Sequence, residues 1–356
     1  MKKAIILAAG KGTRMKSKLA KVLQPINGKA MISYVIEGLQ NADISEPVIV
    51  VGHQHDDIEK YLGDGYKYAM QAEQLGTGHA VMMAKEALNI NAEGLLLVVC
   101  GDTPLITSST FKNLIKYHEE ANAAATILTC HFDDPTGYGR IVRDTANQVV
   151  AIVEEKDADN QIKEITEINT GTYCFSNKLL WESLNSIKPN NAQGEYYLTD
   201  VIKALVDKNH KVEALVIEDR TETMGINNKV QLAEANMVLR HRKLVELMEA
   251  GVTIIDPNTT FIEDQVKIGS DTVIYPFSII KGSTIIGEDC FIGPNAKIDS
   301  TIIGNNVTVD QSTLVSSQIG NDCVIGPYAY LRPDTVLCDQ VKIGDFVEIK
   351  KSTIGT

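Results

Sequence analysis

Through the first two-thirds of the chain, short continuous apolar runs alternate with segments whose apolar residues recur at helical spacing. Ala4–Ala8, Pro47–Val51 and Leu95–Cys100 (LLLVVC) read as strands, and Ala30–Gln40 and Ala80–Ala87 as helices. Runs without polar alternation belong to strands covered on both faces, which predicts a mostly parallel sheet in an α/β domain. Ala125–Cys130, Val149–Val153, Thr172–Phe175 and Val212–Ile217 add strands, some of them antiparallel. From about Asn228 to Ala250 the residues are helix formers with apolar positions at helical spacing, and Gly251 stands where a C-terminal cap belongs. A long connecting helix is predicted there.

Beyond that helix the period changes to six. Ile262, Ile268, Ile274, Ile280, Ile286, Ile292 and Ile298 are evenly spaced. A five-residue step then reaches Ile303, Val309 and Val315 follow, and a four-residue step reaches Ile319. Sixes resume through Ile325, Leu331, Leu337, Ile343 and Ile349, and Gly often follows the aliphatic residue. A six-residue period is a short strand plus a tight corner, with the aliphatic side chain pointing inward and stacking on its equivalents in neighbouring coils. Each such burial contributes roughly 1.5–3 kcal/mol. The last residues, Lys350–Thr356, fall in mid-rhythm without the polar or helical cap that solenoids carry, leaving open a shortened chain or cover by a partner chain.

Length and charge narrow the class. A chain of 356 residues predicts two domains. With 34 Lys+Arg against 46 Asp+Glu, the net charge of -12 disfavours general nucleic-acid or anionic-membrane binding. The six cysteines form no CxxC pair, so they read as small buried thiols rather than zinc ligands or disulfides. His53 and His55 read as loop residues after a strand. MKK followed by AIILAA imitates a secretory signal, but Gly10 to Arg14 interrupt the apolar stretch too early. No stretch approaches the roughly 18 apolar residues of a membrane helix, so a cytoplasmic protein is expected.

Against that acidic background, LAAGKGTRM (Leu7–Met15) places Lys11 and Arg14 in a glycine turn, with Lys16 beside it and Lys21 six residues on from Met15. A strand, a glycine turn and a helix would point backbone N–H groups at phosphate. Gly10-x-Gly12 lacks the third glycine of the dinucleotide fingerprint, Met15 standing there, and lacks the Walker spacing. That disfavours a nicotinamide-dependent oxidoreductase. Several cations in one loop point instead to a phosphate group undergoing charge change. Asp102 follows a buried strand, where α/β proteins place ligand groups, although an aspartate in GDTP is as often a turn former.

Further segments bring a resemblance into focus: QAEQLGTGHA (Gln71–Ala80), CGDTPL (Cys100–Leu105), DPTGYGRI (Asp134–Ile141), IVEEKDA (Ile152–Ala158), EINTG (Glu167–Gly171), NAQGEYYLTD (Asn191–Asp200) and GINNK (Gly225–Lys229). In this order and spacing the whole chain resembles the bacterial bifunctional N-acetylglucosamine-1-phosphate uridylyltransferase/glucosamine-1-phosphate acetyltransferase family. The resemblance implies a Rossmann-like nucleotidyltransferase domain over 1–227, a linker helix over 228–251 and a hexapeptide-repeat left-handed parallel β-helix over 252–356. It implies UTP and N-acetylglucosamine 1-phosphate as substrates, UDP-N-acetylglucosamine and pyrophosphate as products, and a role in cell-wall precursor synthesis. Leu7, Ala8, Ala9, Gly10, Gly12, Gln71, Gly76, Gly101 and Asp102 would bind the nucleotide, with Gln71 and Gly76 reading the uracil edge. Thr77, Gly139, Glu154, Asn169 and Asn227 would bind the sugar phosphate.

The same resemblance implies Mg2+ held by Asp102 and Asn227, and catalysis by Arg14 and Lys21. The family's usual LPKVL has Ala20 in place of proline here, which would leave Lys21 less preorganised. Relatives trimerise through the β-helix and bind acetyl-coenzyme A between subunits, where Arg332 and Lys350 would contribute. The family's catalytic histidine lies beyond Thr356, and all seven histidines fall at or before His241, so acetyl transfer is expected to be absent. Another sugar-1-phosphate nucleotidyltransferase, or a catalytically inactive regulatory subunit with the same two-part build, are the competing expectations.

Overall fold

The computed structural model describes residues 2–355. Two compact units emerge, one comprising the chain up to Gln24 and Ala30–Ala235, the other Pro25–Lys29 and the chain from Asn236 onward.

The first unit is built on a nine-stranded sheet. Its elements are β1 (Lys2–Ala8), α1 (Met31–Gln40), β2 (Val48–Val51), α2 (His55–Leu62), β3 (Lys67–Met70), α3 (Thr77–Met83), β4 (Leu95–Cys100) and α4 (Ser108–Ala121). There follow β5 (Ala125–His131), β6 (Arg140–Arg143), β7 (Val149–Val153), α5 (Asn160–Lys163), β8 (Glu167–Ser176), α6 (Asn177–Leu184), α7 (Asp200–Asp207) and β9 (Val212–Val216). The strands lie in the order β9-β5-β8-β4-β1-β2-β3, with β6 pairing β8 and β7. β1 runs parallel to β2 and β4, and β8 is antiparallel to β4 and β5.

Alternation within the continuous apolar runs explains why they are continuous. Along β1, Ile5 joins the core on one face of the sheet while Ala4 and Ile6 join the core on the other. In β4, Leu96 and Val98 go one way and Leu95, Leu97 and Val99 the other. Helices α6 and α7 pack on the first face through Leu180, Leu184, Val201, Ile202 and Leu205. Helices α1 and α4 cover the second through Ile32, Val35, Leu39, Phe111 and Leu114.

Two local expectations are corrected. No α-helix follows the glycine turn: a single 3-10 turn, Thr13–Met15, is closed by Lys16 at φ 49°. A helix dipole therefore adds nothing there, and the loop's side chains and amides must do the work. His55 is not a loop residue but opens α2, whereas His53 lies in the turn after β2.

Helix α8 (Lys229–Glu249) is the last helix of the chain. It ends in a Schellman motif: Val252 N–H donates to the Leu247 carbonyl at 3.0 Å and Gly251 N–H to Met248 at 3.1 Å, with Gly251 at φ 96°.

The second unit is a left-handed parallel β-helix of three six-stranded parallel sheets. Strands are two or three residues long, and Ile262, Ile280, Ile298, Leu314, Leu331 and Ile349 stack in register along one sheet. Here the predicted register needs one change. Leu314, fully buried, is the inward residue and Val315 is not. The steps from Val309 to Ile319 are thus five and five rather than six and four, because the strand Thr313–Val315 has three residues and its middle one faces the core. The glycines after the aliphatic positions have a cause as well. Asn305, Asn321 and Asp339 each use Oδ1 to accept the backbone N–H of Glu288, Asn305 and Asn321 on the preceding coil, at 2.9, 2.9 and 2.7 Å. A Cβ at Gly287, Gly304 or Gly320 would lie within 2.6 Å of those same oxygens.

Candidate active site

The carboxyl ends of β1 and β4 lie side by side, joined by the Gly101 N–H donating to the Leu7 carbonyl at 2.9 Å. In parallel sheets this edge is where ligand groups gather. A cavity of about 270 Å³ opens there, lined by Leu7–Gly10, Lys21, Gln71, Gln74, Gly76, Thr77, Cys100 and Asp102, among others. Gly12, Arg14 and Gly101 are not part of its wall. A neighbouring cleft of about 250 Å³ shares Ala8, Ala9, Gly10 and Lys21 and adds Lys11, Ser17 and His53.

On one side of the cavity, Gln71 is buried and its Nε2 donates to the Gly76 carbonyl at 3.0 Å and lies 3.1 Å from His79 Nδ1. Gly76 adopts φ 107° and ψ 176°. A Cβ on it would stand 2.5 Å from the Tyr196 carbonyl oxygen, so this close approach admits only glycine. Thr77 Oγ1 accepts the Leu198 N–H at 3.1 Å. LGTGH and GEYYL are thus two strips of backbone zipped together. Gln74, which the sequence reading did not single out, donates its Nε2 to the Ala9 carbonyl and lines the cavity.

At the cavity mouth is a cluster of charge. The segment before α8 is pinned by the Ile226 N–H donating to the Asp102 carbonyl at 2.9 Å, which brings Asn227 beside Asp102 across 125 residues of sequence. Lys21 Nζ is ion-paired to Asp102 Oδ2 and donates to Asn227 Oδ1 at 2.7 Å. Arg14 Nη2 donates to the same Asn227 oxygen at 2.9 Å. The Lys21 and Asp102 side chains are only 13 % and 20 % exposed, so their attraction is little screened. Lys21 opens the 3-10 turn Lys21–Leu23, and Ala20 before it has φ −53° and ψ 141°. That φ lies within the range proline would fix, so Ala20 leaves the backbone before Lys21 in a conformation compatible with the family's proline.

The donor set fits Mg2+. A carboxylate and a carboxamide oxygen converge on one centre, and both are hard oxygen donors. Among the described residues no cluster of three His, Cys, Asp or Glu forms a self-sufficient site, so phosphate oxygens and water would complete the shell, as Mg2+ prefers.

Gly139, Glu154 and Asn169 form a second cluster. Asn169 N–H donates to the Gly139 carbonyl at 2.8 Å, and a Cβ on Gly139 would lie 3.3 Å from Glu154 Oε2 and 3.5 Å from Asn169 Cβ. Asn169 Nδ2 donates to the Tyr173 hydroxyl at 2.7 Å, and its Oδ1 accepts the Gly171 N–H at 3.1 Å. Burial holds the Glu154 carboxyl above its usual range, although Thr199 Oγ1 donates to it at 3.1 Å. Cys100 links the clusters, with Sγ 3.7 Å from the Gly171 carbonyl. Burial, reinforced by Asp102, pushes its thiol up to about 12, so it is an inert wall rather than a nucleophile. Tyr138, raised by burial and by Asp102, was likewise missed by the sequence reading.

Arg332 and Lys350 belong to the β-helix. Pairing of Leu331 with Ile349 puts them at equivalent positions of adjacent coils, and Arg332 is ion-paired to Glu348 at 2.8 Å. Among the described residues no disulfide forms, and no helix is long and apolar enough to cross a membrane.

Comparison with known proteins shows the family. The nucleotidyl transferase family model matches residues 3–222, and that of the GMPPB C-terminal domain matches residues 251–356. The chain is 51% identical over 352 residues to the bifunctional protein GlmU of Heliobacterium modesticaldum, covering 99% of this chain and 77% of that one. Its identity to the bifunctional protein GlmU of Geobacillus sp. is 52%, covering 99% and 76%. A solved structure of UDP-glucose pyrophosphorylase complexed with UDP-glucose superposes with a TM-score of 0.58 at 19% identity, over 68% of this chain and 99% of that one, which speaks to the fold. The chain is a sugar-1-phosphate nucleotidyltransferase of the GlmU family.

Proposed function

We propose that this chain is a Mg2+-dependent uridylyltransferase that makes UDP-N-acetylglucosamine and pyrophosphate from UTP and N-acetylglucosamine 1-phosphate. The observation that carries the reading is the convergence of Arg14, Lys21, Asp102 and Asn227 at the mouth of the glycine-lined cavity. With Gln71 Nε2 committed to Gly76, its Oε1 is the group available to accept the uracil N3–H. A pyrimidine is chosen by such edge contacts because it offers little surface for stacking. Glu154 and Asn169 suit a ligand made of hydroxyls and an acetamido group.

In the proposed reaction a phosphate oxygen of the sugar phosphate attacks the α-phosphorus of UTP. The new P–O bond forms as the bond to the β-phosphate oxygen breaks, and pyrophosphate leaves. The nucleophile is already an anion, so no residue need act as general base. The difficulty is bringing two anions together and stabilising charge on the transferring group, a task for fixed cations. Arg14 and Lys21 supply them. Mg2+ held by Asp102 and Asn227 would supply further neutralisation of the phosphate oxygens.

The test is pyrophosphate release from UTP, N-acetylglucosamine 1-phosphate and Mg2+. Arg14→Ala is expected to lose about 10²–10³ in kcat, or roughly 3–4 kcal/mol, without a change in thermal midpoint. Near-normal turnover in that variant would remove Arg14 from catalysis. Release with glucose 1-phosphate but not the N-acetyl sugar would move the substrate, and no release from any sugar phosphate would favour an inactive regulatory subunit.

A further inference from the structure

Both oxygens that would hold the divalent cation are already occupied by a cation of the chain itself. Lys21 Nζ contacts Asp102 Oδ2 and Asn227 Oδ1 together, and Arg14 adds a second positive group at Asn227. We propose that Lys21 is a placeholder for the metal: without nucleotide its ammonium fills the site, and the metal enters only as the triphosphate draws Lys21 away. This rests on the reading of Asp102 and Asn227 as the metal's ligands.

The charges and the side chain's anchoring both support the exchange. Arg14, Lys21 and Asp102 sum to one positive charge, so a divalent ion arriving alone would raise it to three in a half-buried pocket. Like charges this close repel, and the low exposure of Lys21 and Asp102 leaves the repulsion between the ammonium and an incoming ion little screened. A nucleoside triphosphate brings more negative charge than the metal brings positive, so the two together restore balance where either alone does not. The lysine is also hinged for the move. Its backbone is fixed in a 3-10 turn, and its Cβ packs against Gly12, where an added Cβ would stand only 2.7 Å away. The stem is therefore held, whereas the methylenes beyond it let the ammonium swing from carboxylate to phosphate.

The consequence is weak metal binding to the bare protein. Mn2+ titrated into the whole protein at pH 7.5, followed by loss of the free Mn2+ electron paramagnetic resonance signal, reads this without catalysis. Lys21→Met is expected to bind Mn2+ at least about tenfold tighter than wild type. Lys21→Arg, which keeps a cation, is expected to stay weak, and Lys21→Met with Asp102→Asn to lose the gain. Equal or weaker Mn2+ binding by Lys21→Met in protein with a wild-type thermal midpoint overturns the proposal. So does a gain that survives Asp102→Asn. Pyrophosphate release by the wild-type protein bears on the other reading separately: tighter Mn2+ binding by Lys21→Met beside a wild type that releases none would sink the uridylyltransferase reading and leave the exchange standing.

Discussion

Gly76→Ala tests whether the zipped loops position the nucleotide. At φ 107° and ψ 176° the glycine occupies a region nearly closed to other residues, where a side chain costs about 1–3 kcal/mol. The new methyl would also sit 2.5 Å from the Tyr196 carbonyl oxygen and 2.9 Å from the Tyr196 nitrogen. Tyr196 cannot easily retreat, because its N–H donates to the Leu75 carbonyl and its carbonyl accepts the Gly78 N–H, both at 2.8 Å. Relieving an overlap of this kind costs a further 1–3 kcal/mol or so. The total, roughly 2–6 kcal/mol, divides between stability and binding, since the Gly76 carbonyl is what holds Gln71. The expected result is a thermal midpoint lower by several degrees and a KM for UTP raised about tenfold or more, with kcat less affected. Gly137→Ala is the control: its φ is 88° but its added Cβ meets nothing within 4 Å, so only the backbone penalty of about 1–3 kcal/mol remains. If Gly76→Ala kept a KM for UTP within twofold of wild type, the loop would not be positioning the base.

Two other predictions follow from burial. Leu314→Ala is expected to destabilise the β-helix by about 2–5 kcal/mol, and Val315→Ala by well under half as much, in chemical denaturation followed by circular dichroism. The reverse ranking would restore the six-and-four register. Glu154→Gln is expected to raise the KM for the sugar phosphate by about 10–100-fold, the worth of a charge-assisted hydrogen bond. The same change should stabilise the protein at neutral pH. A carboxyl raised by burial contributes fully below its unfolded value, and that contribution is lost as pH rises through its folded value. The glutamine cannot ionise, so its advantage should vanish on acidification, and a gain that persisted at pH 3 would contradict the assignment.

The layered architecture was legible because its signals are local. A strand buried on both faces must be apolar at every position, and β4, like β1 from Ala4 onward, is. The predicted register, with its five-residue step to Ile303, survived everywhere except at Leu314, where two shortened steps meet a three-residue strand and neighbouring apolar residues compete for the inward place. Contacts across the sequence were not legible in the same way. Nothing in GINNK says that the Ile226 N–H will reach the Asp102 carbonyl, so the pairing of Asp102 with Asn227 came from resemblance and never from spacing. Gln74 was hidden for a simpler reason: a carboxamide among loop residues reads as turn chemistry until the Ala9 carbonyl it serves is known.

The two clusters also differ in how the backbone presents them. The charged groups come from chain segments at the carboxyl ends of parallel strands, a placement that any α/β sheet offers. Asn169 instead lies within the antiparallel strand β8, where a regular ladder would keep its neighbours in step. The pairing of β8 with β5 shifts register between Asn169 and Tyr173, and Gly171 in the gap has φ 78°. Irregularities of this kind re-aim side chains and recur beside ligand sites. Here the shift lets Asn169 Oδ1 fold back to the Gly171 N–H, and it sets the Gly171 carbonyl against Cys100 at the wall of the glycine-lined cavity. EINTG is therefore an interrupted strand, and its glycine joins the antiparallel half of the sheet, which carries Asn169, to the parallel half that carries the charged cluster.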